Sequence, residues 1–206
     1  MLTKYMIDGF FNLSSSEYKR FDDGNYVYDL HNQGGKLIIS IRSMHARCWK
    51  AKPIKITVPD AIDYCIDLSR CFYRHTALSD ISALTSFNSS KVVNMSEMFS
   101  GCRKLISVES LSEWDVSNVW DMSGMFYDCQ SLYQLTELSD WNVNKDCILE
   151  AFYARRVQFY QPIGKSPIGP IISTLGLDIR QIINIDRFLN DNFPQWLIDR
   201  HKAHGY

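Results

Sequence analysis

Apolar positions recur along the middle of the chain with a period of 27 residues. The stretch VVNMSEMFSGC begins at residue 92, and the similar stretch VWDMSGMFYDC begins at residue 119. Positions shared by 92–118 and 119–145 are mostly apolar, and weaker copies extend the pattern to about 65–156. A unit that cannot bury its own apolar face has to stack on copies of itself. The pattern therefore predicts a stacked array over residues 65–156.

The length of this period predicts a fold class. A spacing of 27 lies within the roughly 20–29 residues of a leucine-rich repeat, in which each turn adds a short strand to a parallel sheet. We therefore predict an α/β fold, built around a short leucine-rich-repeat solenoid of three to four turns. The repeated Met, Phe, Cys, Leu and Trp residues are predicted to form its core.

The repeated residues also resemble a known family. The run N-M-S-x-M-F-x-x-C-x-x-L, followed by W-D-x-S-N-V, is similar to the motif of BspA-type leucine-rich repeat proteins, many of which are bacterial surface proteins. Here it extends from Asn94 to Leu105 and then from Trp114 to Val119. The resemblance covers about residues 65–156, and it implies a surface adhesin as one alternative function.

The two flanks of the array are predicted to cap it. Residues 1–64 form a β-rich cap, with a hairpin around Gly34 and Gly35 and a further strand at 53–58. Residues 157–206 contain a Pro- and Gly-rich linker at 161–170 and then two helices, at 178–190 and after Pro194. We expect these helices to cap the array within one compact domain. The alternative is that they form a partner-binding module.

Composition and charge narrow the class of protein. The 206 residues are 46% hydrophobic and 22% charged, and this composition favours one globular domain with a substantial core. The net charge of −1 gives no overall attraction to nucleic acid or to a membrane. The first 20 residues lack a basic head before an apolar run, and no stretch has the length of a membrane span. We therefore expect a protein in the cytoplasm of a bacterium or a host cell.

Candidate catalytic chemistry is sparse. The chain has no phosphate-binding loop, no GxSxG elbow and no HExxH motif, and its six cysteines include no CxxC pair. His75 occupies the position that Cys102 and Cys129 fill in later copies, which favours a buried histidine. The two cysteines are predicted to be buried, reduced thiols. We therefore predict a non-enzymatic protein without cofactor, metal site or small-molecule substrate.

Charge patterning indicates a surface for a basic protein partner. No Lys or Arg occurs between residues 105 and 144, where acidic residues give a local charge of −7. Aromatic residues replace smaller ones in the same copy. A field of one sign beside exposed aromatic anchors is typical of protein interfaces. The predicted partner-binding residues are Glu109, Glu113, Asp115, Trp120, Tyr127, Asp128, Tyr133, Glu137 and Asp140.

These observations lead to one functional hypothesis and two alternatives. The hypothesis is an intracellular effector or inhibitor, of the kind phages or mobile elements encode, that binds a basic, nucleic-acid-handling protein through its acidic face. The first alternative is the adhesin named above. The second is a nucleic-acid binder that uses the basic segment 31–59, with Arg42, Arg47 and Lys50 as candidate contacts.

Overall fold

A computed structural model describes residues 18–132, 135–138, 140–149 and 152. These residues form one mixed sheet in which five strands lie side by side in chain order. The strands are β1 (Tyr18–Asp22), β2 (Tyr26–Gln33), β3 (Lys36–Ser43), β4 (Tyr64–Asp67) and β5 (Val92–Asn94). The first three are antiparallel neighbours, whereas β3, β4 and β5 run parallel. Within the described ranges, no helix has the length and hydrophobicity needed to cross a membrane.

The predicted hairpin is confirmed. β2 and β3 pair along their full length, and Gly34 and Gly35 connect them with φ angles of 62° and 89°. Such positive φ angles are strained for residues with a side chain, so glycine suits both positions. The predicted strand at 53–58 is wrong, because these residues are irregular apart from a single bridge residue at Ile56. The parallel neighbour of β3 is β4.

The 27-residue copies do stack on one another, as predicted. Beyond β5 they meet at isolated bridges, from Asn94 to Asp121 and from Asp121 to Ile148. Backbone hydrogen bonds join equivalent segments of adjacent copies, such as the one from the Phe99 N–H to the Met125 carbonyl at 2.9 Å. Each copy also contains a three-residue 3-10 turn, at Ser82–Leu84, Glu109–Leu111 and Thr136–Leu138.

Side chains of equivalent residues form vertical columns inside the stack. The rings of Phe72, Phe99 and Phe126 lie parallel, with centroids 5.3 and 5.7 Å apart. The thiol of Cys102 donates to the carbonyl of Phe72, and that of Cys129 to the carbonyl of Phe99, both at 3.2 Å. The predicted burial of the repeated Met, Phe, Cys, Leu and Trp residues is confirmed. Repetition of the sequence therefore produces repetition of contacts.

The predicted fold class, an α/β leucine-rich-repeat solenoid with an N-terminal β-rich cap and a C-terminal helical cap, is wrong. The described residues form a single open, mixed five-stranded sheet without an α-helix. Only the first copies extend as strands, β4 and β5, and the later ones contribute single bridged residues. The N-terminal strands are continuous with β4, so they belong to the same sheet and core rather than capping a separate array. The linker and helices predicted after residue 156 lie outside the described residues.

Candidate functional site

Four of the predicted partner-binding residues form what we call the acidic edge: Glu109, Glu113, Asp115 and Asp140. All four are exposed. Glu109 is the first residue of the 3-10 turn Glu109–Leu111, and Glu113 follows this turn two residues after its end. Leu111 is buried and anchors the turn in the core. Glu113 and Asp140 occupy equivalent positions in adjacent copies. The edge therefore carries acidic groups of two successive copies.

Asp115 also has a structural role within the acidic edge. Its carboxylate accepts hydrogen bonds from the Ser117 backbone N–H at 3.0 Å and from the Ser117 hydroxyl at 2.6 Å. These bonds lower the pKa of Asp115. One copy earlier, Asn88 accepts the same pair of bonds from Ser90. A side chain of the Asx type is thus needed at this turn whatever its charge.

Two other predicted acidic residues are not free surface charges. Asp128 is only 5% exposed, and its carboxylate lies 3.1 Å from Arg103 and accepts a hydrogen bond from Gln130 at 3.0 Å. Glu137 is half-buried, and one of its carboxylate oxygens has no hydrogen-bond partner among the described residues. Both residues are therefore less accessible to a protein partner than the four exposed residues of the acidic edge.

Two of the predicted aromatic anchors, Trp120 and Tyr127, lie on other segments of the copies than the acidic edge. Trp120 is 51% exposed and lies on the bridged side of the stack, where its carbonyl accepts the backbone N–H of the exposed Ile148. Tyr127 is 36% exposed and lines a groove on another segment of the copies. Tyr133 lies outside the described residues. The described aromatic and acidic residues therefore come from different segments of the copies.

The groove beside Tyr127 is a feature that sequence reasoning missed. It has a volume of about 720 Å³, and three successive copies contribute to it. Its walls include Tyr73 and Tyr127, and Ser100, Gly101 and Gly124 are buried beneath them. The signal was present in the sequence, because aligning the copies places Tyr73, Ser100 and Tyr127 at one position. We call this feature the tyrosine groove.

Two of the three candidate contacts in the basic segment of the alternative hypothesis pair with carboxylates from outside that segment. Arg42 pairs with Asp29, and the Lys50 ammonium lies 3.0 Å from Asp80. Arg47 is exposed. The sequence suggested an unopposed basic run because these carboxylates lie outside it in the chain.

Asp29 is the centre of an ion network on the outer face of the N-terminal strands. It is 4% exposed and accepts hydrogen bonds from the Tyr18 hydroxyl at 2.6 Å, from the Arg20 Nε at 2.7 Å and from Arg42. Burial opposes ionisation of this carboxyl, but the donated hydrogen bonds outweigh it and lower its pKa to about 2. Asp29 is therefore ionised at neutral pH and holds β1, β2 and β3 together on this face.

The buried thiols and His75 have the properties of core residues. Burial raises the pKa of Cys102, and it raises that of Cys129 to about 12, so both thiols stay protonated at neutral pH. Burial lowers the pKa of His75, which is 5% exposed as predicted, and favours its neutral form. Among the described residues, no group of three or more His, Cys, Asp or Glu side chains could hold a metal ion.

Comparisons with known proteins place the chain in a family. A search of the curated proteins gives no match, and neither does a search of the solved structures. The family model described as "Mycoplasma protein of unknown function, DUF285" matches residues 41–173, which is more than half of the chain. This range contains the stacked copies together with β4 and β5. The chain therefore belongs to the DUF285 family.

Proposed function

We propose that this protein is a non-enzymatic recognition module that binds a basic protein partner through the acidic edge. The observation that carries the proposal is the exposure of Glu109, Glu113 and Asp140 on adjacent copies, in a stretch without Lys or Arg. Carboxylates stacked in this way repel one another, and a basic partner relieves that repulsion while the summed field speeds its approach. A nucleic-acid-handling protein is a partner of the required charge.

The chemistry of the described residues supports a binding role over a catalytic one. The buried thiols are held in their unreactive protonated form, and His75 is shielded in the core. The ion pairs of Arg42 and Lys50 reduce the charge available for phosphate contacts, which weakens the alternative of nucleic-acid binding through this segment.

The finer relationship that we propose is with BspA-type repeat proteins. It rests on the recurrence of Met, Phe, Cys, Leu and Trp in register, and on the family match over the same part of the chain. That relationship keeps the adhesin alternative open, in which the acidic edge binds a basic protein outside the cell. Surface labelling of intact cells distinguishes this alternative from an intracellular effector or inhibitor.

The experiment compares wild-type protein with a charge-reversed variant, Glu109→Lys/Glu113→Lys/Asp140→Lys, as bait in a nuclease-treated bacterial lysate. Asp115 is left unchanged because it supports a turn. A basic protein retained by the wild type is then purified, and its affinity for each bait is measured at low and high salt. We expect binding at least tenfold weaker for the variant and weaker for the wild type at high salt.

The matched control reverses three exposed carboxylates elsewhere, in Asp60→Lys/Asp63→Lys/Asp146→Lys. It changes the net charge by the same amount but leaves the acidic edge intact. Equal affinity of the wild type and the first variant contradicts the proposal. An equal loss in both variants also contradicts it, because the attraction would then depend on net charge and not on this surface.

A further inference from the structure

An exposed tryptophan lies on the connection between β3 and β4. Trp49 is 63% exposed, and Met44, on the same connection, is 46% exposed. Residues 44–63 form this connection without a named strand or helix. Irregular connections longer than roughly 12–15 residues are uncommon in compact domains, and many of them are functional. We call residues 44–49 the tryptophan loop.

The tryptophan loop is held in place although its side chains are exposed. The Met44 N–H donates to the Asn25 carbonyl at 2.9 Å, and the Trp49 carbonyl accepts the Ser79 N–H at 2.8 Å. The Trp49 indole has neither a hydrogen-bond partner nor a ring neighbour in the described part of the chain. The fold therefore fixes the backbone of Trp49 and leaves its side chain available.

A tight turn within the loop brings Met44 and Trp49 near one another. The Cys48 N–H donates to the His45 carbonyl at 3.0 Å, and Arg47 is exposed within this turn. The Cα atoms at the two ends of such a turn are less than about 7 Å apart, and each further residue adds at most about 3.8 Å. The Cα atoms of Met44 and Trp49 are therefore within roughly 15 Å of each other, on either side of the turn.

Positive charge accompanies these two apolar side chains. No Asp or Glu occurs in residues 30–59. Lys52 lies beside the turn, because it lines the same cavity of about 10 Å³ as Cys48. Arg47, Lys52 and Lys55 are exposed, and no carboxylate within the described ranges pairs with them. The loop and the residues that follow it therefore combine exposed apolar side chains with three uncompensated cations.

We propose that the tryptophan loop binds the surface of an anionic lipid bilayer, with Trp49 and Met44 at the membrane–water interface and the three cations on lipid headgroups. Tryptophan is enriched at this interface because its ring is apolar and its N–H is polar. Nucleic acid offers phosphates to the same cations, but Met44 has no planar ring to stack on a base, whereas a bilayer takes up both side chains. The proposal does not rest on the acidic edge or on the protein partner proposed for it.

The first test is sedimentation of the full chain with vesicles of phosphatidylcholine alone or of phosphatidylcholine mixed with phosphatidylserine. Each cation near an anionic surface strengthens binding about fivefold. We therefore expect the anionic vesicles to bind about tenfold more tightly or better, and less so at high salt. Tighter binding of a short single-stranded oligonucleotide than of the anionic vesicles would identify nucleic acid as the partner and contradict the proposal.

Variants then assign the surface. Trp49→Ala and Arg47→Gln/Lys52→Gln/Lys55→Gln should each weaken binding to anionic vesicles about tenfold or more. Met44→Ser should cause a smaller loss, and it keeps the test decisive if another variant does not fold. Lipids with brominated acyl chains should quench the fluorescence of the wild type more than that of Trp49→Phe, because Trp49 is the indole placed in the bilayer.

The matched controls change exposed side chains elsewhere in the described residues. Trp120→Ala removes another exposed indole, and Lys91→Gln/Lys104→Gln/Lys145→Gln removes three other exposed cations with the same change in net charge. Both controls should bind anionic vesicles like the wild type. The proposal is wrong if the wild type does not bind anionic vesicles, if neutral and anionic vesicles bind equally, or if the loop variants and their controls bind alike.

Discussion

The N-terminal strands and the stacked copies share one core but are held together in different ways. In the N-terminal part, β1, β2 and β3 pair residue by residue along their length, and their outer face is tied by the ion network of Asp29. In the stack, later copies are joined by isolated bridges and by backbone hydrogen bonds between equivalent segments, and equivalent side chains lie directly above one another. The first arrangement combines continuous strand pairing with one polar centre, and the second combines backbone hydrogen bonds between turns with columns of buried side chains.

This difference predicts which substitutions should destabilise each part of the molecule most. In a ladder the hydrogen bonds join backbone groups of many residues, so losing one side chain leaves these hydrogen bonds in place. A column makes each side chain the partner of the copies above and below, so one change affects two interfaces. Substitutions in the two parts should therefore differ in cost even when they remove the same residue type.

Phe99→Ala should be the most damaging single change, because Phe99 contacts both ring neighbours and is fully buried. Removing a buried phenylalanine costs about 3–5 kcal/mol in unfolding free energy, through lost apolar burial and the cavity left behind. Urea unfolding followed by circular dichroism measures this cost. The control is Phe21→Ala on β1, where the side chain is half-buried and a loss of about 1 kcal/mol is expected. Similar costs for the two variants would contradict the comparison between column and ladder.

Loss of the Asp29 charge should have a smaller effect, and one that depends on pH. Asp29→Asn leaves Arg20 and Arg42 without their carboxylate, and we expect a cost of about 1–2 kcal/mol at pH 7. The folded pKa of about 2 lies below the unfolded value of about 3.9. The unfolded state therefore binds more protons between these values, and the contribution present above pH 4 is lost as the pH falls towards 2.

The measurement for Asp29 is the unfolding free energy of both proteins across this pH range. The difference between wild type and Asp29→Asn should shrink steadily below pH 4 and vanish near pH 2. Asp60→Asn, at an exposed site, is the control and should follow the wild type. A difference that stays constant down to pH 2 would show that the Asp29 charge does not stabilise this part of the molecule.

The sequence was sufficient for features that depend on local or repeated residues. The Gly34–Gly35 turn, the 27-residue stacking and the burial of Cys102 were all predicted correctly, because each follows from a turn preference or from a recurring apolar position. The fold class was not predicted correctly, because the period of the copies does not reveal how long their strands are or how the N-terminal strands join them. The partners of Arg42 and Lys50 were missed for a related reason. Asp29 and Asp80 are brought to them by the fold, and no pattern along the chain places them there.

The smallest predicted effect concerns a row of Asx side chains that crosses from β4 into the stack. Asp67 pairs with Asn94, and Asn94 pairs with Asp121, so the neutral amide separates two carboxylates. All three accept the backbone N–H of the serine two residues later, which an aspartate does as well as an asparagine. Asn94→Asp should therefore keep the turn and add only like-charge repulsion.

Repulsion between directly opposed charges costs about 0.5–1 kcal/mol, and salt screens it. We expect Asn94→Asp to lower the unfolding free energy by about this amount in dilute buffer and by less than half as much in high salt. The double variant Asn94→Asp/Asp121→Asn removes one of the two opposed pairs and should recover about half of the loss. A cost that salt does not change would instead mean that Asn94 is needed for its amide, and that the row is held by hydrogen bonding rather than by charge separation.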